Sequence, residues 1–221
     1  GLNGANITVP FKEEALKIAD YKDEMALNIG SANTLLVKGQ KIHAYNTDGI
    51  GFLRAIAEFE GIKSALILGA GGTAKALAFV LAKQGISVSV ANRSAGRLKD
   101  FAPYQTFLYE NLAINSYDLV INTTSAGLKD ELLPCNERLL KGLLSKTKYA
   151  FEVIYGKQTP FLKLAKECQI PCKDGASMLL WQGVFAFELF FELCDIKNLN
   201  PLPSTQQKLI VKAMLEALKL S

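Results

Sequence analysis

Histidine is nearly absent from this chain: among 221 residues there is one, His43. Acid–base chemistry run by an imidazole, and metal sites built from clustered histidines, are therefore not expected. His43 falls in a predicted hairpin with no obvious partner in the sequence, which suggests a surface position. Cysteine is sparse too. Of Cys135, Cys168, Cys172 and Cys194 only Cys168 and Cys172 are close, and their spacing fits no common zinc or redox pattern. No metal is expected. Reduced thiols in a cytoplasmic setting, packed as small apolar residues, fit this usage.

Other absences narrow the classes further. The formal charge is +4 but no dense run of Lys or Arg accompanies it, so no nucleic-acid partner is expected. A mild attraction for anionic ligands is what such a charge implies. The longest apolar stretch, Ser177 to Cys194, is broken by Gln182, Glu188 and Glu192. It is too short and too polar for a membrane span and reads as a buried helix. No signal peptide, internal repeat or Pro/Gly-rich linker is evident. The chain opens on Gly1 rather than Met, which reads as a fragment or a removed N-terminus.

What is present is an ordinary globular mixture, 49% hydrophobic and 21% charged, long enough for two modest domains. Asn6 to Pro10 reads as a β-rich run stopped by proline, followed by a helix from Phe11 to Asp20 with Glu13 and Glu14 in its first turn. Leu35 to Tyr45 reads as a hairpin around Lys38-Gly39-Gln40-Lys41, and a helix is expected from about Ile50 to Phe59. The middle then alternates: strands at Ala65 to Leu68, Ile86 to Ala91, Leu119 to Ile121 and Ala150 to Val153, a helix from Thr73 to Gln84, and another opened by Thr159-Pro160. Such alternation implies parallel βαβ units. The last third is helical, Ser177 to Leu193 and Ser204 to Leu218. The final helix carries a Ser204/Gln207 capping box and an apolar face of Leu209, Ile210, Ala213, Met214, Ala217 and Leu218.

The segment Ala65 to Ala76 holds a glycine loop, Gly69-Ala70-Gly71-Gly72, between strand and helix. Gly69 permits the tight turn, Gly71 permits backbone to approach a pyrophosphate, and Ala74 is small enough for helix–strand packing. The helix start adds free N–H groups and a positive dipole end. A glycine turn without a ligand is the plainer reading, but strand before and helix after favour a dinucleotide. The next strand ends in Ala91-Asn92-Arg93-Ser94, with Arg97 one turn on and no acid to take ribose hydroxyls. Arg93 and Arg97 suit a 2′-phosphate, so NADP is expected rather than NAD.

Two groups elsewhere suit proton transfer. Lys12 lies just inside a helix start, where the positive helix end favours a group that gives up its proton. Asp48, in Asn46-Thr47-Asp48, is placed to orient that amine and to accept a substrate hydroxyl. Taken singly, Lys12 reads as a solvated lysine and Asp48 as a helix N-cap.

Taken in order, the motifs resemble the shikimate dehydrogenase family. They are Asn6 to Lys12, Ser31-Ala32-Asn33-Thr34, Asn46-Thr47-Asp48, the glycine loop, Asn92-Arg93-Ser94, Asn122-Thr123-Thr124-Ser125, Tyr155 with Thr159-Pro160-Phe161, and Asp174-Gly175 followed by Gln182. The resemblance implies reversible, NADP-linked reduction of 3-dehydroshikimate to shikimate in aromatic amino-acid biosynthesis. It implies Lys12 as acid–base residue with Asp48 as partner, and Thr8, Asn33, Tyr155 and Gln182 as contacts to the ring hydroxyls. Gly69, Ala70, Gly71, Gly72 and Thr73 are implied at the pyrophosphate; Asn92, Arg93, Ser94 and Arg97 at the adenosine phosphate end; Thr124, Val153 and Gly175 along the ribose–nicotinamide side; Glu24 is a further cofactor neighbour. The implied fold is α/β: a Rossmann-type doubly wound NADP-binding domain at 48–175, plus a discontinuous α/β substrate domain at 1–47 completed by helices at 176–221. The resemblance further implies an N-terminal strand–helix region of roughly sixty residues, within ordinary domain sizes, with a serine pair for the substrate carboxylate. Nothing here corresponds to it, so the substrate domain reads as truncated. Lys75, Glu152 and Val153 stand where Arg, Asp and Met are common. A monomer or homodimer with no membrane partner is expected. The rival readings are a quinate/shikimate dehydrogenase using NAD, and a non-catalytic NADP-binding fragment.

Overall fold

The computed structural model describes residues 3–8, 10–191 and 204–219, with backbone only at 204–207, 218 and 219. The contacts divide the chain into two compact units, 1–55 with 177–221, and 56–176.

The first unit holds a four-stranded sheet in the order β1-β3-β4-β2. β3 (Thr34–Lys38) and β4 (Lys41–Tyr45) form the expected hairpin, and β1 (Gly4–Asn6) lies antiparallel to β3. β2 (Tyr21–Lys22) is parallel to β4, a pairing too short to leave a periodic signature in the sequence. It brings Tyr21 onto His43, rings 4.7 Å apart and stacked, so the histidine does have a partner. The N-terminal strand ends at Asn6 rather than running to Pro10; Val9 lies outside the described residues.

Helix α1 (Lys12–Ile18) and helix α2 (Glu24–Ile29) cover the sheet through a core dominated by alanine: Ala15, Ala19, Ala26, Ala32 and Ala44, with Leu16. Small side chains let helix and strand backbones approach closely. Helix α2, absent from the sequence reading, is capped at both ends. The Asp23 carboxylate accepts from the Ala26 N–H at 2.7 Å, and Gly30 closes the helix at φ +76°, a conformation natural to glycine.

Helix α3 (Asp48–Ala55) clusters with this unit, beyond the 47/48 boundary read from the sequence. The reason is Gly51: a Cβ there would lie 2.7 Å from the backbone nitrogen of Gln182, so α3 rests directly on helix α7 (Ala176–Phe190). Arg54 also stacks over Trp181, 5.0 Å from the ring centroid. The buried-helix reading of Ser177 onward holds for Met178, Leu180, Val184, Ala186 and Leu189. Helix α8 (Ser204–Lys219) is less buried than its pattern predicts. It meets α7 where Met214 faces Gly183, while Leu209 stays 64% exposed. Its capping box lies outside the described side chains. Among the described residues, no helix is long and apolar enough to cross a membrane.

The second unit is a six-stranded parallel sheet in the order β10-β9-β8-β5-β6-β7. Its strands are β5 (Ser64–Leu68), β6 (Ser87–Asn92), β7 (Gln105–Leu108), β8 (Leu119–Asn122), β9 (Tyr149–Glu152) and β10 (Cys172–Lys173). This is the doubly wound order of a Rossmann fold, reversing direction between β5 and β8. Leu66, Ile67, Leu68, Leu119, Val120 and Ile121 have no exposed surface, as strands covered on both faces require. Helices α4 (Gly72–Lys83), α5 (Glu137–Leu144) and α6 (Pro160–Glu167) supply cover. Leu140, Leu143 and Leu144 of α5 join Phe161, Leu162 and Leu164 of α6 in one buried cluster. Asp118 ties strand starts together. It accepts the N–H groups of Lys63 and Ser64, and the Lys148 ammonium 2.6 Å away holds its carboxyl down to about 2. Cys135, Cys168 and Cys172 are half-buried free thiols, and burial pushes Cys135 up to about 11, so it packs rather than reacts. Cys194 lies outside the described residues.

Candidate active site

In the first unit, four of the residues singled out in the sequence converge. Lys12 opens α1 and Asp48 opens α3. The Lys12 ammonium donates to Asp48 Oδ2 at 2.6 Å, with the two side chains only 23% and 12% exposed. Asp48 Oδ1 accepts from Asn33 Nδ2 at 2.8 Å. The Asn33 amide cannot be reversed: its oxygen accepts the Thr47 N–H at 2.9 Å and the Thr34 hydroxyl at 3.0 Å, so its nitrogen must face Asp48. Gln182 completes the group through Oε1, 3.4 Å from Asn33 Nδ2.

Thr47 is the member the sequence reading left without a role. It is fully buried, and its hydroxyl donates to the Gln182 backbone carbonyl at 3.0 Å. The only hint in the sequence was its place inside Asn46-Thr47-Asp48. The Asn46 amide anchors the same turn to Ser31, and its oxygen takes the Asp48 N–H. Ala32 donates its N–H to the Lys12 carbonyl at 2.9 Å, which fixes the start of α1 against this cluster. The result is an ammonium with one carboxylate partner, held in a mostly dry polar network. Such a group can give and take a proton at a defined position. Thr8 is exposed and accepts the Phe11 N–H through its carbonyl, and Glu24 is exposed at the start of α2.

In the second unit, the glycine loop has the geometry a pyrophosphate needs. Gly69 sits at φ +108°, and a Cβ there would lie 2.7 Å from Thr123 Oγ1, so both backbone and space demand glycine. Gly71 is the N-cap of α4 and no side chain caps the helix. Added Cβ atoms at Gly71 and Gly72 would meet nothing within 4 Å, so the ground before the helix start is open. Free N–H groups, open space and the dipole end together suit a phosphate. Thr73 follows at the helix start. Ala70 is buried.

The end of β6 carries the expected second feature. Asn92 Nδ2 donates to the Ser94 carbonyl at 2.9 Å and holds the turn, from which Arg93 and Arg97 project into solvent. No carboxylate occupies this strand end. The residues present thus fit a dinucleotide bearing a 2′-phosphate. On the other side of the loop, Thr123 donates its hydroxyl to the Leu68 carbonyl at 2.8 Å, and Asn122 Oδ1 accepts both the N–H and the hydroxyl of Thr124. Gly175 packs on the Val153 carbonyl oxygen so tightly that no Cβ fits. Tyr155 is 53% exposed in this unit. A cavity of about 320 Å³, lined by Gly156, Lys157, Lys166 and Asp174 among others, holds none of these residues.

Comparisons with known proteins bear on the family of the chain as a whole. Residues 1–35 match the family profile described as shikimate dehydrogenase substrate binding domain, and residues 54–134 match shikimate / quinate 5-dehydrogenase. The chain is 49% identical over 194 residues to the shikimate dehydrogenase (NADP(+)) of Helicobacter hepaticus, covering 86% of this chain and 72% of that one. Among solved structures it is similar to the shikimate dehydrogenase of Aquifex aeolicus, with TM-score 0.77, 33% identity, and 97% and 77% of the two chains covered. It is also similar to the shikimate 5-dehydrogenase of Thermus thermophilus, solved in complex with NADP(H) and shikimate. There the TM-score is 0.79 and identity 30%, over 98% and 80% of the chains.

Proposed function

The chain belongs to the shikimate dehydrogenase family, and from that membership we propose that it catalyses the reversible, NADP-linked reduction of 3-dehydroshikimate to shikimate in aromatic amino-acid biosynthesis. The observation that carries the reading to this chain's own residues is the Lys12–Asp48 pair at 2.6 Å with Asn33 on the second carboxylate oxygen. When bound, the cofactor supplies a hydride to the substrate carbonyl carbon. Lys12 gives a proton to the carbonyl oxygen in that direction and takes it back from the hydroxyl in the other. Asp48 orients the amine and accepts from a substrate hydroxyl. Asn33, Thr8, Gln182 and Tyr155 contact the ring hydroxyls.

The backbone of Gly69 to Thr73 holds the pyrophosphate, and Asn92, Arg93, Ser94 and Arg97 hold the adenosine phosphate end. Thr124, Val153 and Gly175 line the ribose–nicotinamide side, and Glu24 lies near the cofactor. The substrate domain is discontinuous, formed by the N-terminal segment through α3 and by the C-terminal helices, with the NADP-binding domain between them in the chain. The enzyme works as a monomer or homodimer in the cytoplasm, where the described cysteines, all free thiols, stay reduced.

The test is steady-state reduction of NADP by shikimate, followed by NADPH absorbance, with the full-length protein. Lys12→Ala is expected to lower kcat by about two to four orders of magnitude with less effect on KM. Because the change strands the Asp48 carboxylate, NADP binding by the variant is measured alongside to show that it folds. An unchanged kcat removes Lys12 from its role, and a wild-type protein with no shikimate-dependent turnover refutes the reading as a whole.

A further inference from the structure

Glu152 ends β9 with no exposed surface, and burying a carboxylate is costly unless something holds it. Its Oε2 accepts from Asn122 Nδ2 at 2.8 Å and from the Thr159 hydroxyl at 2.9 Å, and its Oε1 accepts the Ile154 N–H at 3.1 Å. Each of these partners is itself tied to a different piece of the fold. Asn122 ends β8 and holds Thr124 through its oxygen. Thr159 is the N-cap of α6 and accepts the Leu162 N–H. Ile154 and Glu152 bracket Val153, whose own N–H goes to the Asn122 carbonyl.

We propose that Glu152 is a positioning residue for the nicotinamide side of the cofactor site: its carboxylate locks the ends of β8 and β9 to the start of α6, and so sets where Thr124 and Val153 stand. The inference rests on the proposed cofactor reading, in which those two residues line that side. The lock is directional. The Asn122 oxygen is committed to the Thr124 N–H, so its NH2 must face residue 152, and residue 152 must offer acceptors there and at Ile154. A carboxylate meets both demands at once. A side chain chosen only to fill space would not need two oxygens there, and glutamine, of the same shape, meets only one demand.

Glu152→Gln makes this testable. With its oxygen kept on Ile154, the new amide sets donor against donor at Asn122. Adding Asn122→Asp reverses the polarity of that contact and restores it, while the other Asp oxygen still accepts from Thr124. Calorimetric binding of NADP is compared with binding of a 2′-phosphorylated adenosine diphosphate, which lacks the nicotinamide end. E152Q is expected to weaken NADP by about tenfold or more, as for a buried donor left without its acceptor, and to bind the shorter ligand as wild type does. The double variant is expected to recover most of the loss. Glu152→Asp, which keeps the carboxyl but shortens the reach, is expected in between and serves if E152Q does not fold.

Unaltered NADP affinity in E152Q, or in E152D where E152Q does not fold, overturns the proposal. So does equal loss of both ligands, or a double variant no better than the single. A wild-type protein that binds neither ligand overturns the cofactor reading, and this inference with it. Binding of both by wild type with no selective loss overturns the inference alone.

Discussion

Replacing Glu152 also removes a titration, and its size follows from the surroundings. Burial pushes the carboxyl from its ordinary 4.5 up to about 7, against the downward pull of the Ile154 N–H, Asn122 and Thr159. Between those values the folded chain keeps a proton that the unfolded chain has released. Stability from this group is therefore fully present below about 4.5 and is lost as pH rises through 7. At about 1.4 kcal/mol per pH unit, the gap amounts to roughly 3 kcal/mol. That is a large share of a total stability of about 5–15 kcal/mol. The assay is urea unfolding by circular dichroism at a series of pH values, with wild type and Glu152→Gln in parallel. Groups common to both cancel in the difference, which isolates Glu152. Wild type is expected to lose ground to the variant by roughly 3 kcal/mol between the ordinary and the raised value. A pH-independent difference, or one that moves in wild type's favour as pH rises, refutes the reasoning.

Two further outcomes are expected. Arg93→Ala raises KM for NADP by about one to two orders of magnitude, as for a lost charge-assisted hydrogen bond, and leaves KM for NAD nearly unchanged; steady-state kinetics with each cofactor decides it, and equal losses would take Arg93 off the 2′-phosphate. Gly51→Ala places a Cβ against the Gln182 backbone 2.7 Å away, which is expected to destabilise the fold by roughly 1–3 kcal/mol and to raise KM for shikimate by shifting Gln182. Urea midpoints and shikimate titrations that match wild type would show that α3 and α7 yield more easily than the packing implies.

Local signals were legible and long-range ones were not. The strand–loop–helix around Gly69 was readable because its constraints lie within a dozen neighbours: an apolar strand, a turn that only glycine takes, and a helix start. The hairpin of β3 and β4 was readable for the same reason. The two-residue strands β2 and β10 were not, since each exists only by pairing with a strand that arrives from elsewhere. The apolar stripe of α8 suggested more burial than it receives, because periodicity marks which face is apolar and not how much of it finds a partner.

The same division runs through the candidate site. From the sequence alone came the glycine loop, the choice of NADP through Arg93 and a missing acid, and the family pattern that picks out Lys12 and Asp48. Their apposition came from the tertiary structure, since one opens α1 and the other opens α3, and only the packing of α1 on β4, whose end leads into α3, brings ammonium to carboxylate. Thr47 and Glu152 depended on it still more. Each looks like an ordinary polar residue in the chain. Their importance lies in burial, where every donor and acceptor must be matched, and matching is a property of the neighbours that folding supplies.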